Sequence, residues 1–151
     1  MASNFELGKV VEIRLPDNSF SYGLVLESPL VAFSNRTFKS RQTQFSDLFN
    51  DSIFIVWVMK YALGKKGWPK VGKLNSHKLF GRSHTFYKFD SINKSFSTYC
   101  NGIETPANLE DCVKLECAAV WDSLHVEDRI FANSKGEVCK WSKSLSAEEQ
   151  V

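Results

Sequence analysis

The sequence predicts an α+β fold: a strongly twisted, mostly antiparallel β-sheet that could close into a barrel-like form, followed by two short C-terminal helices. Three observations predict it. Short apolar runs rich in β-branched and aromatic residues recur between turn signatures over residues 9–100. The aromatic load is high, with 12 Phe and 4 Trp, which favours strands over a helical bundle. Helix-capping residues ahead of helix-spaced apolar positions occur in the last third. At 151 residues the chain reads as one domain over 1–151, large enough to bury a core without disulfides or a metal. Residues 146–151 are expected to fray as a polar tail.

Residues 5–15 place Val11, Ile13 and Leu15 two apart, the alternation of a half-buried strand. Pro16-Asp17-Asn18-Ser19 is a turn, because proline fixes φ and the Asp and Asn side chains bond nearby backbone. Residues 20–26 then read as a second strand, so 9–27 is a hairpin, and Gly23 within it marks a bulge or a close backbone approach. Residues 30–33 are a third short strand. Residues 36–50 show only weak helical spacing, at Phe45, Leu48 and Phe49. Residues 53–59 (IFIVWVM) form the strongest strand, apolar throughout and expected to be buried on both faces. Residues 64–72 read as a loop punctuated by three glycines and Pro69. Residues 85–89 and 95–100 are strands around a turn, and Asn101-Gly102 is a strong turn dipeptide. Asn108, with Asp111 three residues on, caps a helix over 109–115. Residues 116–120 suggest a short buried strand. Asp122 caps a second helix over 123–132, with Leu124, Val126 and Ile130 among its apolar positions. Residues 138–141 alternate like a last strand.

Composition excludes several classes of protein. The chain is 43% hydrophobic and 24% charged, unlike disordered, collagen-like or coiled-coil sequences. No run reaches the 18 or so apolar residues of a membrane-spanning helix. Residues 1–10 lack the basic-then-apolar pattern of a secretory signal. Cys100, Cys112, Cys117 and Cys139 have no C-x-x-C spacing and read as free thiols in the cytoplasm. His77, His84 and His125 are too scattered to complete a metal site, and no cofactor is expected. The net charge of +2 is unevenly placed: residues 51–100 hold nine basic and two acidic side chains, and residues 101–151 five basic and ten acidic.

Catalytic motifs are absent. A Cys100–His84 pair oriented by Asp90 could in principle supply a nucleophile, but the spacing does not require it. A nucleic-acid-binding module over 60–94 is the alternative reading, with Trp68, Phe80, Phe86, Tyr87 and Phe89 among lysines, since stacking plus phosphate contact is an established combination. The same aromatics read more readily as a core face with a solvated lysine rim, because aromatics are usually buried. Trp68 lies in a Gly/Pro-rich loop, where it is either a plug over the core or an exposed anchor for a partner.

The ordered landmarks carry a family resemblance. Gly8-Lys9-Val10-Val11-Glu12-Ile13-Arg14-Leu15-Pro16-Asp17, then Tyr22-Gly23-Leu24-Val25, resembles the opening of the immunity protein 26 family of bacterial polymorphic toxin systems. Gly67-Trp68-Pro69-Lys70-Val71-Gly72 resembles that family's W-P-x-I-G loop, with Val71 in place of Ile. Phe86-Tyr87-Lys88-Phe89-Asp90 resembles its F-x-K-x-D strand, although the approach, Lys78 to His84, lacks the family's prolines. Residues 115–122 and 125–129 resemble its A-A-V-W and H-V-x-D-R elements. The resemblance implies a non-enzymatic, cytoplasmic protein that binds and neutralises a cognate toxin by surface complementarity; it transfers no functional residues. It leaves both a monomer and a homodimer open. A mildly basic chain is a poor whole-protein mimic of nucleic acid. Either the acidic C-terminal third forms a local patch, or the toxin surface is itself acidic or neutral. The aromatic-plus-basic Trp68 loop gives the expected toxin interface, Lys65, Lys66, Trp68, Pro69 and Lys70, with the lysines steering the encounter.

Overall fold

A computed structural model describes residues 5–151 of the chain. The predicted hairpin forms: β1 (Lys9–Arg14) and β2 (Phe20–Val25) pair antiparallel, with Val11 opposite Gly23. Asp17 closes its turn, Oδ1 accepting from the Ser19 N–H at 3.0 Å. A Cβ on Gly23 would lie 3.0 Å from the Phe33 ring and 3.1 Å from Val11, so close packing, with no bulge in β2, explains that glycine. β3 (Leu30–Ser34) and β4 (Ile53–Val58) follow as antiparallel neighbours. A 3-10 turn at Lys60–Leu63 leads to β5 (Lys70–Lys73), which pairs with β1 across a bulge at Val10/Val11. The expected loop over 64–72 is thus a strand in its second half.

The second sheet is built from β6 (Phe86–Asp90), β7 (Ser95–Cys100) and β8 (Ile103–Ala107). Asn101 (φ 52°) and Gly102 (φ 79°) make the β7–β8 turn, the left-handed pair of a two-residue hairpin. The helix expected over 109–115 is one turn, α1 (Leu109–Cys112), opened by a full capping box between Asn108 and Asp111. The chain then crosses between sheets. β9 (Glu116–Cys117) pairs parallel with β6, and β10 (Val120–Trp121) pairs parallel with β4. The single buried strand expected there is therefore two short strands in different sheets. α2 (Ser123–Ser134) starts at its Asp122 cap, as expected.

Two expectations near the C-terminus are overturned. The residues expected as a last strand lead into a short helix, α3 (Lys140–Ser144). Trp141 there stacks on His125 at 3.7 Å and donates from Nε1 to Asp128 at 2.9 Å, so contact with α2 overrides its local alternation. The tail expected to fray winds into a 3-10 turn at Ala147–Gln150, with Ala147 buried. The Tyr87 hydroxyl donates to the Leu145 carbonyl just before it.

The fold is α+β, with both sheets antiparallel except for one parallel pair each. The larger sheet runs β10-β4-β3-β2-β1-β5 and the smaller β8-β7-β6-β9. Both have free ends, so the barrel-like option is not realised. On one face of the larger sheet, Val11, Ile13, Phe33, Phe54 and Val56 meet Val126 and Ile130 of α2. On the other, Tyr22, Leu24 and Ala32 lie under Leu48, Phe49 and Leu79. The weakly helical segment over 36–50 forms no helix; its aromatic and aliphatic side chains cover this second face. Consequently β2 is buried on both faces, whereas β4 is buried at Phe54, Val56 and Val58 and half-buried at Ile53, Ile55 and Trp57.

Candidate functional site

Trp68 is a core residue. It is 6% exposed, its ring meets Phe33 edge-on at 5.3 Å, and its Nε1 donates to Glu127 Oε2 at 3.1 Å. The loop is shaped to deliver it. The Trp68 N–H donates to the Ala62 carbonyl at 2.8 Å, and a Cβ on Gly67 would come within 2.0 Å of that same oxygen, so only glycine permits the approach. Of the two readings of Trp68, the plug holds and the exposed anchor does not. Burial raises the Glu127 carboxyl above the ordinary carboxylate range, a shift opposed by the indole hydrogen bond.

The remaining loop residues are exposed. Lys65 and Lys66 have no ion pair among the described residues. Lys70 and Lys73 both reach Glu6 Oε1 at 3.2 Å. Pro69 is exposed, and its carbonyl accepts from the Glu12 N–H at 3.0 Å, holding the loop against β1.

What the loop borders is an apolar face that sequence reading missed. Met59 (41% exposed), Tyr61 (52%) and Val120 (54%) gather in one open concavity of about 810 Å³, with Val58 and Pro29 beside them and Lys60, Lys65 and Lys66 around them. The sheet topology makes the face: β10 lies beside β4, and the Met59 N–H donates to the Trp121 carbonyl at 3.0 Å. Asp122 holds its central ring. Its Oδ2 accepts from the Tyr61 hydroxyl at 2.5 Å, while Oδ1 caps α2 through the Leu124 N–H at 2.9 Å. The Tyr61 hydrogen bond lowers the Asp122 carboxyl below its ordinary value and raises the phenol above its own. Leu124, one of the apolar positions of α2, is 66% exposed. It lines an adjoining groove with Lys66, Pro69, Arg14 and Arg41. Other exposed large apolar residues, such as Ile92, Ile103 and Val138, lie far apart in sequence on turns and an edge strand. The face was illegible because Met59 continues an apolar strand and Val120 belongs to a parallel pairing with no local signal.

A second cleft, about 560 Å³, lies where the sheets meet, lined by Trp57, Phe86, Tyr99, Arg82, His84 and Glu27. Trp57 packs edge-on against Phe86 and Tyr99 at 5.5 and 5.7 Å, joining β4 to β6 and β7. The His84–Cys100–Asp90 arrangement does not assemble here. Asp90 opposes Ser95 at one end of the β6–β7 hairpin and Cys100 opposes Ile103 beyond its other end, about 17 Å along the strand. Asp90 instead closes a turn, accepting from the Ile92 and Asn93 N–H groups. Among the described residues no group of three or more His, Cys, Asp or Glu could hold a metal ion. Among the described residues no helix is long and apolar enough to cross a membrane.

Of the rings that a nucleic-acid platform would use, three are withdrawn into the core, while Phe80 and Phe89 are half-buried. Phe86 and Tyr87 are buried with Trp68. Lys88 lies over the Tyr99 ring at 4.4 Å and pairs with Glu104 at 3.3 Å. The C-terminal landmarks are structural as well. Arg129 of α2 makes a two-pronged pair with Glu116 at 2.9 and 2.6 Å and sits 3.9 Å over Phe54, tying the smaller sheet to the larger.

Comparison with known proteins agrees with this picture. No curated protein and no solved structure matches the chain. A family model described as immunity protein 26 matches residues 6–98, more than half of the chain; that span contains β1 to β6, the Trp68 loop, Met59 and Tyr61, and excludes the landmarks after residue 98. The chain therefore belongs to the immunity protein 26 family.

Proposed function

We propose that this chain neutralises a cognate toxin by binding it, without chemistry of its own, and that the toxin seats on the face formed by Met59, Tyr61 and Val120. The family match carries the reading. The face supports it because Tyr is among the residues that dominate interface hot spots and Met is enriched in interfaces. Tyr61 is held in place by Asp122 before any partner arrives, so little side-chain freedom is lost on binding. Lys65, Lys66 and Pro69 stay in the interface as its rim, and Lys70 contributes through its pair with Glu6. Tyr61 takes over the anchoring role expected of Trp68. The protein acts in the cytoplasm, a placement supported by four cysteines that are all free thiols.

The test is growth rescue in cells producing the toxin domain against which the wild-type chain protects. Met59→Ala/Tyr61→Ala removes exposed side chains and leaves the fold intact, and is expected to weaken toxin binding by about 2 kcal/mol or more and abolish rescue. Full rescue by the folded double variant overturns this placement of the interface.

A further inference from the structure

We infer that the partner surface seated on this face is acidic: an apolar side chain flanked by carboxylates, on a protein. The inference rests on the reading that the chain binds a protein toxin. Among the described residues every charged side chain lining the concavity is a lysine, Lys60, Lys65 or Lys66, and no carboxylate lines it. Several other basic residues face acids: Lys70 and Lys73 share Glu6, Lys88 faces Glu104, Arg41 faces Glu12 and Arg129 faces Glu116. Lys65 and Lys66 instead stand with Lys60 around Met59, Tyr61 and Val120 and concentrate positive charge there.

Burial decides what can dock there. Lysine stems can lie along apolar surface while their ammonium groups stay wet. A partner that covers the apolar floor also takes water from Lys65 and Lys66, and an ammonium that loses water without gaining a partner is costly. A basic or neutral surface leaves that cost uncompensated; an acidic one removes it and speeds encounter. A phosphate backbone would also answer the lysines. The floor argues against it: Val58, Met59, Val120 and Pro29 offer aliphatic area, and its Tyr61 ring is already bonded to Asp122. A protein side chain uses such a floor, whereas a phosphate does not.

The test uses the full chain, isotope-labelled for NMR, and four probes. Three are peptides with one central Phe flanked by Asp and Glu, by Ser and Gly, or by Lys and Arg; the fourth is a single-stranded oligothymidine. The acidic peptide alone should shift the signals of Met59, Tyr61, Lys65, Lys66 and Val120. Its affinity should fall about tenfold or more in Lys65→Glu/Lys66→Glu, and fall with added salt, as exposed charge pairs do. Lys65→Gln/Lys66→Gln should lie between, and both variants should keep the wild-type unfolding midpoint. Equal binding of the neutral or basic peptide, absence of acidic-peptide binding, unaltered affinity after charge reversal, or preference for the oligonucleotide would overturn the inference. Failure of the broader reading looks different: the wild-type chain then rescues no toxin-producing cell. Rescue by wild type and charge-reversed chain alike overturns the acidic partner and leaves the toxin-binding reading standing.

Discussion

Glu127 shows how a single residue reports on packing. Its carboxylate is drawn toward the core by the Trp68 indole, and burial raises its proton affinity above that of the unfolded chain. Above the ordinary carboxylate value the unfolded state therefore binds fewer protons than the folded state, and stability falls as pH rises through that window. Glu127→Gln keeps an acceptor for the indole and removes the titration. Urea unfolding midpoints from about pH 4 to 8 should show the variant gaining on the wild type as pH rises, with the gap closing in acid. A gap that does not move with pH would mean the carboxyl is not held protonated by the fold. Nothing in the sequence around Glu127 announces this role, because its partner is 59 residues away.

At the scale of elements, the loop over 64–69 is a device for inserting Trp68 between the 3-10 turn and the face of the larger sheet. Trp68→Ala should cost about 3–5 kcal/mol of stability, as for other large aromatics removed from a core, read from chemical denaturation in the absence of toxin. A loss under 1 kcal/mol would return Trp68 to the surface. Elements whose pattern is local were legible in the sequence: the 9–25 hairpin, the strand at 53–58, the Asn101-Gly102 turn and the Asp122 cap. Those that failed depend on distant partners. β8 is exposed along most of its length and contains Pro106, so it has neither an apolar face nor strand-like composition and was not anticipated. Residues 116–121 divide between two sheets because β4 and β6 each present an edge there, information absent from six residues. Residues 138–141 alternate but follow Trp141 onto α2.

For the whole molecule, folding answers only part of the charge polarity along the sequence. Lys88 of the middle segment faces Glu104 of the acidic last third, Lys70 and Lys73 face Glu6, and Arg129 pairs with Glu116 within the last third. The lysine rim keeps positive charge around an apolar concavity and connects the fold to its proposed work. The proposed interface overlaps the region the sequence pointed to, the loop bearing Lys65, Lys66 and Pro69, whereas its proposed anchor, Tyr61, was not legible there. An aromatic in a Gly/Pro-rich loop gives no sign of which way it points, and Tyr61, two residues after the apolar run ends at Met59, looked unremarkable until β10 placed Val120 beside it. The most direct measurement is amide hydrogen exchange of the chain with and without the toxin domain it is proposed to neutralise. The account predicts slowed exchange over residues 59–66 and 120–124, with the β7–β8 hairpin unchanged. Protection confined to that hairpin or to the cleft around Trp57 and His84 would contradict it.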